Sequence, residues 1–352
     1  MAGSRNIIVV GASAGGLEAL QRLFATLPAD IRAAILVVLH LAPHRPSSLS
    51  QILNESIALP VKDAKHGEQI QEGNIYVARP DHHLLVKDHR MRLSRGPREN
   101  RSRPSIDALF RSAAVAYGTS VIGVLLTGML DDGASGLLAI KECGGLAIVQ
   151  DPTDAQYPEM PESALFRVEA DFVLPLAQIG ATLTRLSAEP APPRRAIPPD
   201  VILEAKIAER VMSDIETEQR IGKLVPLSCP ECSGPLWKID ESGEPRFRCH
   251  VGHAYSAKSL ITEQDELIER ALWAGMRTME ERANMGLEMA KNERHRGRIN
   301  SAELFASRAE ESREHAIAIR KLLEERVRQL TEMVSDEYVS DGPTIISPSR
   351  PS

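Results

Sequence analysis

Residues 9–20 read VVGASAGGLEAL, with three glycines, a serine and two alanines set between two apolar runs. Small residues in that position predict a tight turn from a strand into a helix. Two chemistries use such a turn. Gly11, Ser13 and Gly16 stand where a dinucleotide-binding turn places its glycines, and Gly11, Ser13 and Gly15 spell a nucleophile elbow. Nucleotide binding then asks for an acidic residue at the end of the next strand, to hold the ribose hydroxyls. The next apolar run, AAILVVL over residues 33–39, ends instead in His40. Ser13 also replaces the glycine that admits a pyrophosphate, and no lysine follows as a P-loop requires. The turn therefore reads as the mount of a nucleophile.

Working outward, residues 6 to about 186 alternate apolar strand-like runs with amphipathic helical segments. Asn6–Val10, Ala33–Leu39, Val121–Leu126 and Leu146–Val149 read as strands, and Gly16–Leu27, Ser105–Tyr117 and Ala134–Glu142 as helices. Strands that are apolar throughout suit a parallel sheet covered on both faces. The alternation predicts an α/β fold with an open, mostly parallel sheet. Between them, NIYVARPDHHLLVKDHRMRLSRG reads as short strands and turns, a hairpin at the sheet edge or a flap.

Residues 187–200, SAEPAPPRRAIPPD, carry five prolines in fourteen positions and read as a stiff linker. Beyond it, 201–223 reads as a helix, 224–257 as a cysteine-bearing module, 258–335 as a helical hairpin and 336–352 as a disordered tail. The hairpin is expected to bury Ile261, Ile268, Leu272, Met276, Met279, Ala283, Leu287 and Ala290 at helical spacing. These would face Phe305, Ala309, Ala316, Ile319, Leu323, Val327 and Leu330.

Composition limits the function. At 352 residues with 43% hydrophobic and 26% charged residues, the chain has the makeup of a soluble protein with two or three cores. Its net charge of −6 argues against a nucleic-acid binder built on bulk charge. No apolar run approaches the ~20 residues that cross a membrane, and no secretory signal opens the chain. A cytoplasmic protein without a transmembrane segment is expected.

In open α/β sheets, groups at the carboxyl ends of parallel strands converge on one crevice. Ser13 follows the first strand, His40 ends the second, and the turn TGMLDDG after VIGVLL offers Asp131 and Asp132. A serine, a histidine and a carboxylate so placed supply the nucleophile, base and orienting acid of acyl transfer. The chain order Ser, His, Asp differs from that of α/β-hydrolases and disfavours that fold.

The stretches IIVVGASAGGLEAL, VVLHLAPHRPSSL, RPSIDALFRSAA, VLLTGMLDDGASGL and VQDPTDAQYPEMP resemble the bacterial chemotaxis protein-glutamate methylesterases, specifically their CheB catalytic domain. The likeness runs through nearly all of residues 6–170. It implies a doubly wound α/β fold, hydrolysis of γ-glutamyl methyl esters on chemoreceptors with release of methanol, and deamidation of receptor glutamines as a related activity. It implies Ser13 as nucleophile, His40 as base and Asp132, rather than Asp131, as the orienting acid, with the backbone N–H of Met129 at the oxyanion. No cofactor is implied for catalysis. The family often has threonine where this chain has Ala14 and glycine where it has Leu130. The first strand begins by residue 7, so control is expected without a fused receiver domain. A separate regulator docking on the C-terminal part is the alternative, and a non-catalytic receptor- or regulator-binding module is the rival to an enzyme.

Cys229 and Cys232 form a CxxC pair, followed by Cys249, His250 and His253. Two such pairs across a hairpin complete a tetrahedral zinc site. His253 is the preferred fourth ligand over His250, because adjacent residues seldom bind one ion. A structural Zn2+ held by Cys229, Cys232, Cys249 and His253 leaves no position open for catalysis. The segment resembles a zinc-ribbon extension, followed by helices, on some stand-alone relatives. The proline linker is expected to limit contact between this module and the preceding domain, so that zinc loss leaves the latter folded.

Overall fold

The computed structural model describes residues 5–40, 49–209, 222–239 and 245–340. The chain divides into two compact units, Met1–Glu263 and Gln264–Ser352. In the first unit, β1 (Ile7–Ala12), α1 (Gly16–Ala25), β2 (Ala34–Leu39), α2 (Leu49–Asn54), β3 (Val61–Asp63) and β4 (Ile75–Val77) come first. A hairpin of β5 (His83–Lys87) and β6 (Arg90–Ser94) follows, then α3 (Ile106–Tyr117), β7 (Val121–Leu125), α4 (Ala134–Glu142) and β8 (Leu146–Gln150). The series closes with α5 (Glu159–Arg167), β9 (Phe172–Leu174) and α6 (Leu176–Ala188).

Seven strands form one parallel sheet in the order β3-β4-β2-β1-β7-β8-β9. Side chains alternate between its faces, and both faces are apolar. Ile7 and Val9 join Leu109, Phe110 and Leu137 on one side; Ile8 and Val10 join Leu20, Phe24 and Leu183 on the other. Full burial of β1, β2 and β7 accounts for their lack of polar alternation. The doubly wound α/β fold expected from the sequence is the fold observed.

Three details depart from expectation. NIYV does not join the hairpin that follows it, because β4 enters the main sheet between β3 and β2. The β5–β6 hairpin stands as a separate two-stranded sheet, its Leu84 and Val86 packed into the cluster that holds α3. The proline-rich stretch is not a free spacer. Ala191 is buried, Thr119 donates to the Pro192 carbonyl at 2.8 Å, and Arg194 donates to the Val115 and Ala116 carbonyls.

Beyond the prolines, α7 (Pro199–Glu209) sends Val201 into the main core. The rest of the helix read over 201–223 lies partly outside the described residues; residues 222 and 223 open a strand. That strand, β10 (Gly222–Ser228), pairs antiparallel with β11 (Pro235–Ile239), β12 (Arg246–Cys249) and β13 (Ala254–Ser256) in turn. This ribbon belongs to the first unit. The expectation of little contact with the preceding domain is overturned. Glu99, Arg111, Glu204, Arg246 and Arg248 form a buried ion network that joins the segment before α3, α3 itself, α7 and β12.

Two long helices end the described chain, α8 (Ala257–His295) and α9 (Ile299–Ser340), turning at Gly297 (φ +74°). The second unit has a narrow seam spaced alternately by four and three residues. Met276, Ala283 and Ala290 on α8, and Ala302, Ala309, Ala316 and Leu323 on α9, are buried at heptad intervals. Such spacing selects a coiled-coil stripe rather than a broad apolar face. Ile261, Ile268 and Leu287, expected in the core, lie off this seam and are exposed. The helix α9 also continues through residues 336–340, where a disordered tail was expected; residues 341–352 lie outside the described residues. No described helix is long and apolar enough to cross a membrane.

Candidate active site and metal centre

The turn after β1 ends in Gly15 at φ +70°, a left-handed conformation that favours glycine. A Cβ there would also meet Gln156 Oε1 at 2.5 Å. The turn is pinned by the Ser13 N–H donating to the Thr127 carbonyl at 3.0 Å and the Gly16 N–H donating to the Ser13 carbonyl at 2.9 Å. Ser13 therefore stands at the lip of an open cleft lined by Leu17, Glu18, Gln21, Leu39, His40 and Gln156. On the neighbouring strand, His40 follows β2 with its N–H on the Ala12 carbonyl at 3.2 Å.

The three residues singled out from the sequence meet. His40 Nδ1 lies 3.1 Å from Ser13 Oγ, and His40 Nε2 lies 2.8 Å from Asp132 Oδ2. Asp131, the open alternative, points elsewhere and accepts the Ser256 hydroxyl at 2.9 Å. Because β1 lies between β2 and β7, Ser13 and its two partners occupy three adjacent strand ends.

Asp132 is buried, which opposes its charge, yet hydrogen bonds from His40, Ile106 and Asn100 hold its pKa below the ordinary value. Its Oδ2 accepts His40 and the Ile106 N–H (2.7 Å). Its Oδ1 accepts the Ser105 hydroxyl (2.9 Å), the Asn100 amide (3.1 Å) and the Asp107 N–H (3.2 Å). Two of these donors are the first-turn amides of α3, which also present the positive end of that helix. Burial and the Asp132 charge raise Asp107 to about 7. Asp107 Oδ1 accepts the Gly133 and Gly136 N–H groups at 3.0 and 2.6 Å, fixing the loop that carries Asp132.

The Thr127–Met129 turn lies against Ser13. A Cβ on Gly128 would stand 2.9 Å from the Ser13 Cβ, so only glycine permits this approach. No described residue accepts the backbone N–H of Met129. Leu130 sits at φ +64° with its N–H on Glu159 at 2.9 Å. A leucine held in that region carries backbone strain.

In the ribbon, Cys229, Cys232, Cys249 and His253 bring one ligand atom each within 4.8 Å of one another. Cys232 Sγ is 3.6 Å from Cys249 Sγ, and His253 Nδ1 is 3.6 and 3.4 Å from Cys229 and Cys249. Tetrahedral bonds of about 2.3 Å to sulfur imply ligand edges of roughly 3.8 Å, so the donor set fits zinc. Hydrogen bonds from Cys249, His253 and the Tyr255 hydroxyl pull the Cys229 thiol down to about 3. Burial pushes Cys232 up, and the hydrogen bond to Cys229, burial and the Cys229 charge push Cys249 up, so that the negative charge gathers on Cys229. His253 Nε2 lies 3.2 Å from Glu231, which fixes the ring with Nδ1 free to face the sulfurs. His250 stands apart from the cluster.

Sequence reasoning missed Asn100, Ser105, Asp107, Ser256 and Glu231. Ser105 and Asp107 lie in RPSIDALFRSAA, one of the resembling stretches. Asn100 and Ser256 carry no local signal, because each is defined by partners far along the chain.

A family model described as CheB methylesterase matches residues 8–183. A Leptospira interrogans protein with a provisional name of protein-glutamate methylesterase/protein-glutamine glutaminase is 43% identical over 180 residues, 51% of this chain and 93% of its own length. The chain belongs to the CheB methylesterase family. A Methanosarcina mazei protein-glutamate methylesterase/protein-glutamine glutaminase 2 is 40% identical over 190 residues, 52% of each chain. The Thermotoga maritima CheB methylesterase catalytic domain is 34% identical, with a TM-score of 0.50 over all of that chain and 53% of this one. The residues matched by the family model span most of the sheet domain and end before the ribbon and the helical hairpin. The chain is thus a carboxylic ester hydrolase of the CheB type.

Proposed function

We propose that this chain hydrolyses γ-glutamyl methyl esters on chemoreceptor-like proteins through Ser13, His40 and Asp132. The observation that carries the reading is the unbroken hydrogen-bonded line from Ser13 Oγ through His40 to Asp132. Ser13 Oγ attacks the γ-carbonyl while His40 Nδ1 takes its proton. The Nε2–H stays on Asp132, whose negative charge stabilises the imidazolium without accepting the proton. The Met129 N–H meets the oxyanion of the tetrahedral intermediate. His40 then protonates the leaving methoxide, methanol departs, and water cleaves the acyl-enzyme by the same route. A glutamine side chain offers the same carbonyl with ammonia as the leaving group, so deamidation uses the same residues. An open cleft suits a side chain presented on the surface of a folded protein.

The test is methanol release from methylated receptor membranes, with mass spectrometry of receptor peptides separating ester loss from amide conversion. A fluorophosphonate probe is expected to label Ser13. Activity retained in Ser13→Ala would remove this mechanism.

Cys229, Cys232, Cys249 and His253 would hold one structural zinc ion, which supplies cross-linking and no open coordination position. Elemental analysis is expected to find about one zinc per chain, lost in Cys229→Ser. Stoichiometric zinc in that variant would refute the ligand assignment.

A further inference from the structure

We propose that the metal-held ribbon is a positioning element of the esterase site, acting through Asn100 on Asp132. The inference rests on Asp132 being the acid of the triad. The knuckle between β12 and β13 carries two of the metal ligands, Cys249 and His253, and closes on itself. The Cys249 N–H donates to the His253 carbonyl at 2.9 Å, and the Gly252 N–H donates to the Cys249 carbonyl at 2.8 Å. The next residue, Ala254, grips the segment before α3 from both sides. Its N–H donates to the Arg98 carbonyl at 3.1 Å, and its carbonyl accepts the Asn100 N–H at 2.8 Å.

Asn100 is thereby held at φ +47°, and its side chain is spanned by the two parts of the molecule. On the ribbon side, Asn100 Oδ1 accepts the Ser256 N–H at 3.1 Å. On the sheet side, its amide donates to Asp132 Oδ1 at 3.1 Å and Asp107 Oδ2 at 2.8 Å. A carboxylate oriented by five donors is only as fixed as the groups that donate, and Asn100 has its acceptor end tied to the ribbon. Ser256 also donates to Asp131, the neighbour of the acid. The path from His253 to Asp132 therefore runs through one peptide bond, one backbone hydrogen bond and one side-chain amide. The buried Glu99–Arg248 pair clamps the same two segments beside it. A ribbon without its metal loses the closed knuckle, and Asn100 loses the partner that aims its amide.

The test compares the full-length protein loaded with zinc and stripped by a chelator, with zinc content measured in each. Hydrogen exchange in peptides covering residues 98–107 is expected to quicken at least about tenfold on stripping, while those covering β1 and β7 stay protected. Fluorophosphonate labelling of Ser13 is expected to slow by about a hundredfold, the scale of a small misplacement in a catalytic group. Fast exchange in the ribbon with unchanged exchange at 98–107 and unchanged labelling would overturn the proposal. If Ser13 resists labelling even in the loaded protein, the esterase reading fails, and the exchange data alone judge the ribbon's hold on Asn100. Should stripping expose β1 and β7 as well, Asn100→Asp in the zinc-loaded protein decides. That variant keeps an acceptor for Ser256 but offers Asp132 an acceptor in place of a donor. A kcat lowered about tenfold or more at steady KM supports the positioning role; an unchanged kcat refutes it.

Discussion

Ser13→Ala is expected to lower turnover of a methyl-ester substrate by about a millionfold, and Asp132→Asn by about ten-thousandfold. The first variant removes the only hydroxyl in contact with His40 among the described residues and leaves the cleft intact. The second is harsher on the structure than its size suggests. Both Asp132 oxygens accept at least two hydrogen bonds, so an amide nitrogen at either position opposes donors it cannot satisfy. Its outcome should therefore be read with a thermal melt beside the rate. In a working triad the double variant loses no more than Ser13→Ala alone, because the residues act as a unit. Losses that multiply would show that Asp132 serves the fold and not the reaction.

Arg248→Ala is expected to cost about 3–5 kcal/mol of stability, the scale of removing one partner from a buried ion pair. Arg248 is fully buried, with Glu99, Glu204 and the Gly252 carbonyl as partners. Truncation leaves Glu99 with Arg111 and Glu204 with Arg111 and Arg246. Arg248→Met, which fills the volume, should cost nearly as much while Glu99 and Glu204 remain charged. Chemical denaturation of the zinc-loaded protein checks both; a loss under about 1 kcal/mol would place the cluster among dispensable surface pairs. The sign with pH follows from the carboxylates. Burial opposes their charge, but the arginines hold Glu99 below its ordinary value of 4.5 and Glu204 well below it. Their contribution is complete above the unfolded value of 4.5 and is lost as pH falls through the lowered folded values.

The main sheet was legible because buried parallel strands leave unbroken apolar runs, and AAILVVL and VIGVLL could be little else. The meeting of Ser13, His40 and Asp132 was legible for a related reason, since strand ends in such a sheet converge whatever their separation in sequence. The hairpin seam was misjudged at Ile261, Ile268 and Leu287. A 3.6-residue stripe drifts, whereas the observed 3–4 spacing follows the small residues Ala283, Gly286, Ala290 and Ala309. The linker misled most. Five prolines resist regular structure, but they do not prevent a chain from lying along a sheet domain and returning a ribbon to it. Asn100 and Ser256 were invisible because their meaning lies in a contact 156 residues long.

That contact also sets an order of events during synthesis. His40 and Asp132 are 92 residues apart, and the segment carrying Ser256 meets Asp131 only after 125 more. Contacts of such long range are the slow part of folding, since the intervening chain must be confined first. A nascent chain can close β1 against β2 early, but its acid waits for β7 and its Asn100 for the last strand of the ribbon. A chain stalled before residue 256 would carry Ser13, His40 and Asp132 but lack the Ser256 N–H that Asn100 accepts, and with it the link from the ribbon to Asp132.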